Sequence, residues 1–256
     1  MYRMKNLNLS FAACGFLGIY HLGVASALIK HGQRMLNAVN IFAGASAGSL
    51  VAAVLLTAPD RIKESKDFIF LFSEEVRKQT LGAFTPRYDF MKRLRGGIQS
   101  ILPSKAHEVA ENRLCISITN TKSRENCLVS NFATREELIK VLLASSFVPV
   151  YAGIKAVEYK GEDWIDGSFT NSLPILPMGR TVTVSPFSGR LDICPRDKGH
   201  MDIYVNLAKQ DTMLSTANLE RLKQALFPPP LEKMESLYQE GFKDGTNFLQ
   251  TENWFE

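Results

Sequence analysis

The residues with the clearest chemical potential are Gly44-Ala45-Ser46-Ala47-Gly48. This is a G-x-S-x-G pattern, in which a serine lies on a sharp turn between a strand and a helix and presents its hydroxyl as a nucleophile. A serine at the start of a helix also lies near free N–H groups and the positive end of the helix dipole, which favour an oxyanion. The alternative is a packing turn of small residues with an inert serine.

A second candidate site is the loop Ala13-Cys14-Gly15-Phe16-Leu17-Gly18. Its glycines let the backbone approach a ligand, so that N–H groups can point at a negatively charged oxygen. A dinucleotide fingerprint is the alternative, but Ala13 replaces its first glycine and no ribose-binding acid follows about 20 residues later. Beside a nucleophilic serine, the loop predicts an oxyanion hole.

The third candidate is Asp166-Gly167, directly after the short apolar stretch Trp164-Ile165. A serine nucleophile needs a base within hydrogen-bond reach, and a carboxylate bonded directly to Ser46 can be that base. The alternative is an ordinary Asp-Gly turn, which is common.

Histidine is the more usual base, and the chain has four. His21 lies inside the first predicted helix, His31 at the end of that helix, and His107 in a polar segment. His200 is the one histidine placed in the chain order of a Ser–Asp–His triad, but no recognisable motif surrounds it. Asp166 acting alone and a triad through His200 both remain open at this point.

Strands and helices must position these candidate residues. The hydrophobic pattern of the sequence predicts strands and helices in alternation. Strands are predicted at 7–13, 39–43, 113–119, 125–131, 154–159, 164–165 and 180–185, with a weaker one at 201–205. Helices are predicted at 19–31, 49–57, 60–79, 88–102, 134–144, 215–227 and 231–249. Gly32 is expected to stop the first helix, and Thr134 with Glu137 forms a predicted capping box. The alternation indicates one α/β domain over residues 1–256 with a largely parallel sheet.

One helical segment has two interpretations. Phe68-Ile69-Phe70-Leu71-Phe72 is apolar all round, which favours a helix buried on both sides. The alternative is a wall of a lipid-binding cleft or a face that meets a membrane.

Composition narrows the class of protein. The 256 residues are 45% hydrophobic and 22% charged, with a net charge of +4, which suits a globular protein and gives no argument for nucleic acid. Cys14, Cys115, Cys127 and Cys194 form no C-x-x-C pair, so buried free thiols and a reducing, intracellular location are expected rather than a zinc site or disulfides.

The first 29 residues could imitate a signal peptide, since Arg3 and Lys5 precede an apolar stretch. Asn8, Ser10 and His21 interrupt that stretch, and its first part alternates like a strand. We therefore expect it to belong to the fold. No segment is long enough and apolar enough to predict a transmembrane helix.

With these three sites in this order, the chain resembles the patatin-like phospholipases over almost its whole length. The stretch 11–23 is similar to the acylglycerol-lipase branch found in animals. The resemblance implies a three-layer α/β/α sandwich with a mostly parallel central sheet. Its motif core would span about 6–176, with C-terminal helices at about 212–250 packed on it.

The resemblance also implies a Ser46–Asp166 dyad with no metal and no cofactor. The backbone around Cys14, Gly15, Phe16 and Ala47 would hold the oxyanion, and Gly18, Gly44, Gly48, Gly167 and Ser168 would complete the motifs. Implied substrates are triacylglycerols, phospholipids and retinyl esters, with acyl transfer beside hydrolysis. The implied setting is cytoplasmic, at a membrane or lipid-droplet surface.

Three positions depart from the family pattern. Ala13 stands where glycine is usual, and its methyl group restricts φ. Leu17 replaces a frequent basic residue, which suits a neutral lipid. Ser168 follows Asp166-Gly167 where Gly or Ala is usual, and its hydroxyl could compete for hydrogen bonds. A catalytically weak lipid-binding or scaffold protein that keeps the fold is therefore the competing hypothesis.

Overall fold

The computed structural model describes residues 6–197 and 204–256. The strands are β1 (Leu7–Phe11), β2 (Val39–Ala45), β3 (Leu114–Asn120), β4 (Asn126–Val129), β5 (Val157–Tyr159), β6 (Glu162–Asp166), β7 (Arg180–Val184), β8 (Tyr204–Leu207) and β9 (Gln210–Met213). The helices are α1 (Gly18–His31), α2 (Gln33–Ala38), α3 (Ala47–Thr57), α4 (Ile62–Arg77), α5 (Phe90–Ile101), α6 (Ala106–Ala110), α7 (Arg135–Ser145), α8 (Thr216–Leu226) and α9 (Leu231–Thr251). The candidate His200 and the first half of the predicted strand 201–205 lie outside the described residues.

The central sheet has the order β5-β6-β3-β2-β1-β7, with β4 paired to β3. The strands β3, β2, β1 and β7 run parallel, and β4, β5 and β6 are antiparallel additions at one side. Helices cover both faces, so the predicted α/β architecture with a mostly parallel central sheet is confirmed. β8 and β9 form a separate hairpin.

The parallel strands are buried on both faces. All five residues of β1 and all seven of β3 are buried, including the polar Asn8 and Ser10. Two covered faces are the rule for a parallel sheet, because the crossover helices pack on both sides of it. Because β1 and β2 run parallel, their carboxyl ends lie at the same edge of the sheet. The turns that follow them can therefore share a ligand.

The last helix packs along the first. An added Cβ at Gly241 of α9 would lie 2.1 Å from the carbonyl oxygen of Tyr20, and one at Gly23 of α1 would lie 2.0 Å from that of Tyr238. Only glycine permits backbones to approach this closely. The Tyr20 hydroxyl donates to Asp244 Oδ2 at 2.7 Å across the same interface. The C-terminal helix α9 thus packs closely against α1.

Several local predictions needed correction. Gly32 does follow α1, but its φ of −133° is not the left-handed conformation of a glycine stop. Residues 154–156 are not strand, and Ile154 is 98% exposed. The Thr134 hydroxyl accepts from the N–H of Glu137 as predicted, whereas the Glu137 carboxylate accepts from Ala133 instead of the capping residue.

Candidate functional site

Ser46 lies between the end of β2 and the start of α3, at the carboxyl edge of the parallel strands. Its φ of 52° and ψ of −131° are strained for a residue with a side chain. An added Cβ at Gly44 would lie 2.5 Å from the Gly48 carbonyl carbon, so the turn closes only with glycine at this position. The predicted strand–turn–helix context of the serine is present, and the backbone strain is that of a nucleophile elbow.

A serine that belongs to none of the three predicted sites holds the elbow in place. Ser145, the last residue of α7, accepts from the N–H of Ser46 at 2.9 Å and donates to the carbonyl of Ser117 at 2.7 Å. Its hydroxyl therefore ties α7 to both β3 and the elbow. From the opposite side, the Ser49 hydroxyl donates to the Ser46 carbonyl at 2.7 Å. These bonds fix the backbone on which the Ser46 side chain stands.

Asp166 is the last residue of β6 and is 1% exposed. Pairing of β6 with β3 places it opposite Ile118, and the Thr119 hydroxyl donates to its carbonyl at 2.9 Å. The N–H of Ser168 donates to Oδ1 at 2.7 Å, whereas Oδ2 is buried without a hydrogen bond. One carboxylate oxygen is thus positioned by the backbone, and the other remains able to accept a proton.

The electrostatics of Asp166 favour a proton acceptor near neutral pH. Burial raises its pKa to about 6, while hydrogen bonding to Ser46 and to Ser168 lowers the pKa. Ser46 and Asp166 line the same cavity, and Asp166 Oδ2 has no hydrogen-bond partner there. Catalytic hydrogen bonds are often loose until a substrate is bound. Burial and the charge of Asp166 both raise the pKa of Cys14, which keeps this neighbouring thiol neutral.

The glycine loop lies against the elbow. Gly15–Leu17 forms a single 3₁₀ turn, and Gly15 has a φ of 54°. An added Cβ at Gly18 would lie 3.2 Å from the Ala47 Cβ, and one at Gly48 would lie 2.2 Å from the carbonyl oxygen of Phe11. The N–H groups in the first turn of a helix have no hydrogen-bond partner within that helix. Gly15 and Phe16 are in the first turn of the 3₁₀ helix, and Ala47 is the first residue of α3. The two turns thus bring together N–H groups that can bind an anion.

The three departures from the family pattern have small structural effects. Ala13 does not have a positive φ, so its methyl group brings no backbone strain. Leu17 is fully buried in the core. Ser168 holds Oδ1 of Asp166 through its backbone N–H, which any residue would supply, and its hydroxyl also lowers the Asp166 pKa. The hydroxyl therefore favours the ionised base.

The histidines that the structure describes do not reach the serine's cavity. His21 is fully buried in α1, its Nε2 lies 2.9 Å from the carbonyl oxygen of Ala12, and burial lowers its pKa to about 4. It is a neutral core residue behind the glycine loop. His31 stacks on Phe255 with ring centroids 4.7 Å apart. His107 lies in the short helix α6.

Ser46 and Asp166 open into one apolar cavity of about 410 Å³. Its walls come from the glycine loop, from α3, α4 and α5, and from the hairpin β8–β9 and α8. Its apolar lining includes Phe16, Leu50, Val54, Phe68, Ile69, Phe72, Phe90, Leu94, Ile98, Tyr151, Met213, Leu219 and Leu222. The space is suited to a hydrocarbon chain that ends beside the serine.

This cavity decides between the two interpretations of segment 68–72. Phe68, Ile69 and Phe72 line the cavity, while Leu71 is 57% exposed. The expectation of a helix buried on both sides is therefore wrong, because α4 has one face on the cavity and another in solvent. Its place in a cavity wall agrees with the cleft-wall alternative, and binding of a lipid there stays a prediction.

Two further expectations can be compared with the described residues. Cys14 and Cys115 are buried free thiols as predicted, whereas Cys127 and Cys194 are half-buried free thiols. Over residues 6–197 and 204–256, no helix combines the length and apolar character needed to cross a membrane.

Comparison with known proteins gives the family. The family model for patatin-like phospholipase matches residues 9–178. The chain is 69% identical over 253 residues to human patatin-like phospholipase domain-containing protein 4, covering 99% of this chain and 100% of that protein. This chain belongs to the patatin-like phospholipase family.

More distant relatives are longer proteins. The chain is 39% identical to mouse patatin-like phospholipase domain-containing protein 2, over 97% of this chain and 51% of that one. It is 33% identical to human 1-acylglycerol-3-phosphate O-acyltransferase PNPLA3, over 96% of this chain and 51% of that protein. Among solved structures, VipD from Legionella pneumophila shares the fold, with a TM-score of 0.50 and 15% identity over 97% of this chain and 67% of that one.

Proposed function

We propose that the protein is a serine acyl hydrolase that cleaves lipid esters with a Ser46–Asp166 dyad. The observation that carries this proposal is the shared position of the two residues. Ser46 lies in a strained elbow, and Asp166 is a buried carboxylate whose Oδ2 has no hydrogen-bond partner. Both residues line the same apolar cavity. Family membership supports the same reaction class.

In the first half of the reaction, the Ser46 hydroxyl oxygen attacks the ester carbonyl carbon and its proton passes to Asp166 Oδ2. The N–H groups of Gly15 and Phe16, with those of Cys14 and Ala47, stabilise the tetrahedral oxyanion. The intermediate then breaks its carbon–oxygen bond to the alcohol, which takes the proton from Asp166. An acyl-enzyme on Ser46 remains.

In the second half, water attacks the acyl-enzyme and gives its proton to Asp166. Collapse of the second tetrahedral intermediate releases the fatty acid and returns the proton to Ser46. An acceptor alcohol can take the place of water, and the product is then a new ester. A relative named as an acyltransferase supports this second outcome for the present chain.

Neutral esters fit the cavity best. Among the described residues that line it, Asp166 alone carries a charged side chain, and the remainder are apolar or neutral polar groups. A charged headgroup would lose its hydration there without an ion pair in return. We therefore place triacylglycerols and retinyl esters ahead of phospholipids.

The deciding experiment is a lipid-ester panel measured with wild type, Ser46→Ala and Asp166→Asn. We expect wild type to hydrolyse neutral long-chain esters and both variants to lose at least about a thousandfold in kcat, as loss of a nucleophile or base does in other serine hydrolases. Addition of a monoacylglycerol or retinol would divert acyl groups to new ester if transfer occurs. Unchanged turnover in Ser46→Ala would overturn the proposal.

We also propose that the enzyme works at a membrane or lipid-droplet surface. Leu214, Leu219 and Leu222 line the cavity, yet 56%, 60% and 54% of their surfaces are exposed. An exposed apolar rim around a lipid-binding cavity suits a lipid surface more than water. Free thiols support an intracellular location, and the packing of α9 on α1 supports one domain over the whole chain.

The surface proposal can be tested by flotation with triolein droplets coated with phosphatidylcholine. Leu219→Ser with Leu222→Ser should lower bound protein several-fold. Met178→Ser is the matched control, because Met178 is 72% exposed and lies beside Asn8, at the amino end of β1, away from the cavity. Equal losses in both variants would contradict a docking role for the α8 rim.

A further inference from the structure

One arm of the cavity runs away from the nucleophile along α3. The α3 residues that line it extend from Ala47, next to Ser46, to Val54. The seven helical steps from Ala47 to Val54 span about 10 Å, so we describe this arm as a channel along α3. α4 and α5 form its other walls, from Ser65 to Phe72 and from Phe90 to Ile101.

The ring of Phe68, which lines this channel, packs directly against Gly97 of α5. An added Cβ at Gly97 would lie 2.2 Å from Cζ of Phe68, at the free end of that side chain. One turn earlier in α5, the Arg93 guanidinium lies over the same ring at 4.8 Å from its centroid. Arg93 is itself fixed by two hydrogen bonds to Glu75, at 2.7 and 2.9 Å. The ring is thus held between Gly97, Arg93 and the channel.

We propose that Phe68, seated on Gly97, sets how far an acyl chain can enter the enzyme, and so sets its chain-length preference. This inference rests on the proposed ester hydrolysis, since it names the part of the substrate that fills the channel. The absence of a side chain at Gly97 leaves the ring withdrawn toward α5 and the channel open. A residue with a Cβ there would displace the ring. Because Arg93 lies over the ring and the ring lines the channel, we infer that the displacement is toward the channel.

The geometry predicts opposite effects at two positions. Gly97→Ala moves the ring into the channel and favours short chains, while Phe68→Ala opens the channel and favours long ones. Gly96→Ala is the matched control. It is the neighbouring glycine of the same helix, and no atom lies within 4 Å of an added Cβ there. Both Gly→Ala changes raise helix propensity equally, so a difference between them reports the Phe68 contact.

The test measures kcat/KM for p-nitrophenyl butyrate, octanoate, laurate and palmitate. We expect Gly97→Ala to lower the palmitate-to-butyrate ratio by about tenfold or more, since one methylene too many in an apolar pocket changes selectivity by that factor. Phe68→Ala should raise the ratio, and Phe68→Leu should raise it less. Gly96→Ala should match wild type. Circular dichroism and thermal melting establish that each variant is folded.

A second readout separates this inference from the proposed function. Octanoate and palmitate compete against a fluorescent fatty acid on the Ser46→Ala protein, with and without Gly97→Ala. If Gly97→Ala selectively weakens palmitate binding, the channel is supported whether or not the wild type hydrolyses esters. If the wild type hydrolyses no ester, only the proposed function is rejected. The inference would be overturned if the wild type is active and its chain-length profile is unchanged in Gly97→Ala, Gly96→Ala and Phe68→Ala. That result would leave the proposed dyad intact.

Discussion

The Ser145 hydroxyl accepts a hydrogen bond from the backbone N–H of Ser46 at 2.9 Å, across 99 positions of sequence. The same hydroxyl donates to the Ser117 carbonyl at 2.7 Å. Ser145 does not line the cavity, so it acts on the proposed nucleophile through the backbone. The strained turn of Ser46 persists because its surroundings hold it in place.

This relationship makes Ser145 a positioning residue. Ser145→Ala leaves the Ser46 N–H buried without its partner, which should destabilise the fold by about 1–3 kcal/mol. A small displacement of the nucleophile should lower kcat by about a hundredfold with little change in KM. Ser73→Ala is the control, because Ser73 is an equally buried serine that bonds only within α4. Equal kcat values in the two variants would contradict the positioning role.

The pKa of Asp166 predicts the pH dependence of the reaction. The carboxyl must be ionised to take the Ser46 proton, and its pKa is raised to about 6 by burial. kcat/KM for a neutral ester should therefore rise with pH and level off above about pH 7, with its midpoint near the pKa of the free enzyme. A profile that stays flat down to about pH 4.5 would show that another group is the base.

Ser168 should tune that midpoint. Its hydroxyl favours the ionised carboxylate and lowers the Asp166 pKa, while its N–H bond is independent of the side chain. Ser168→Ala should thus move the acidic limb of kcat/KM to higher pH by a few tenths of a unit. A shift to lower pH would mean that the hydroxyl competes with the base.

The buried carboxylate should also reduce stability at neutral pH. Its pKa is about 6 when folded against a usual 3.8, so the folded state binds the proton more tightly than the unfolded state. Stability is then lost as pH rises between these two values, by about 3 kcal/mol in total. Asp166→Asn should be more stable than wild type by about that amount at pH 8 and by about 1 kcal/mol at pH 4.5.

Urea unfolding at the two pH values measures this difference. Asp163→Asn is the control, because Asp163 is an exposed aspartate on the same strand and should change little. Equal stabilities of Asp166→Asn and wild type at pH 8 would contradict the burial cost.

The sequence was sufficient to predict the local parts of the candidate site. Gly44–Gly48, Ala13–Gly18 and Asp166-Gly167 are short motifs whose residue types dictate the turns they form, and each turn is found where the pattern placed it. The large elements could also be predicted, because α3 is a nearly continuous apolar run and every residue of β1 and β3 is buried.

What could not be predicted depends on distant contacts. Ser145 ends an ordinary amphipathic helix, and its bond to Ser46 exists only once α7 has packed on β3. The contribution of the hairpin β8–β9 and of α8 to the cavity is likewise a matter of tertiary packing. The short helices α2 and α6 carry too few residues for a periodic signal.

The central claim is that Ser46 is the nucleophile, and covalent labelling with a fluorophosphonate probe tests it most directly. The probe reacts with an activated serine hydroxyl, and intact mass identifies the adduct. We predict one adduct per wild-type molecule, the same adduct in Ser73→Ala, and none in Ser46→Ala. Labelling that persists in folded Ser46→Ala, or that never occurs in wild type, would contradict the account.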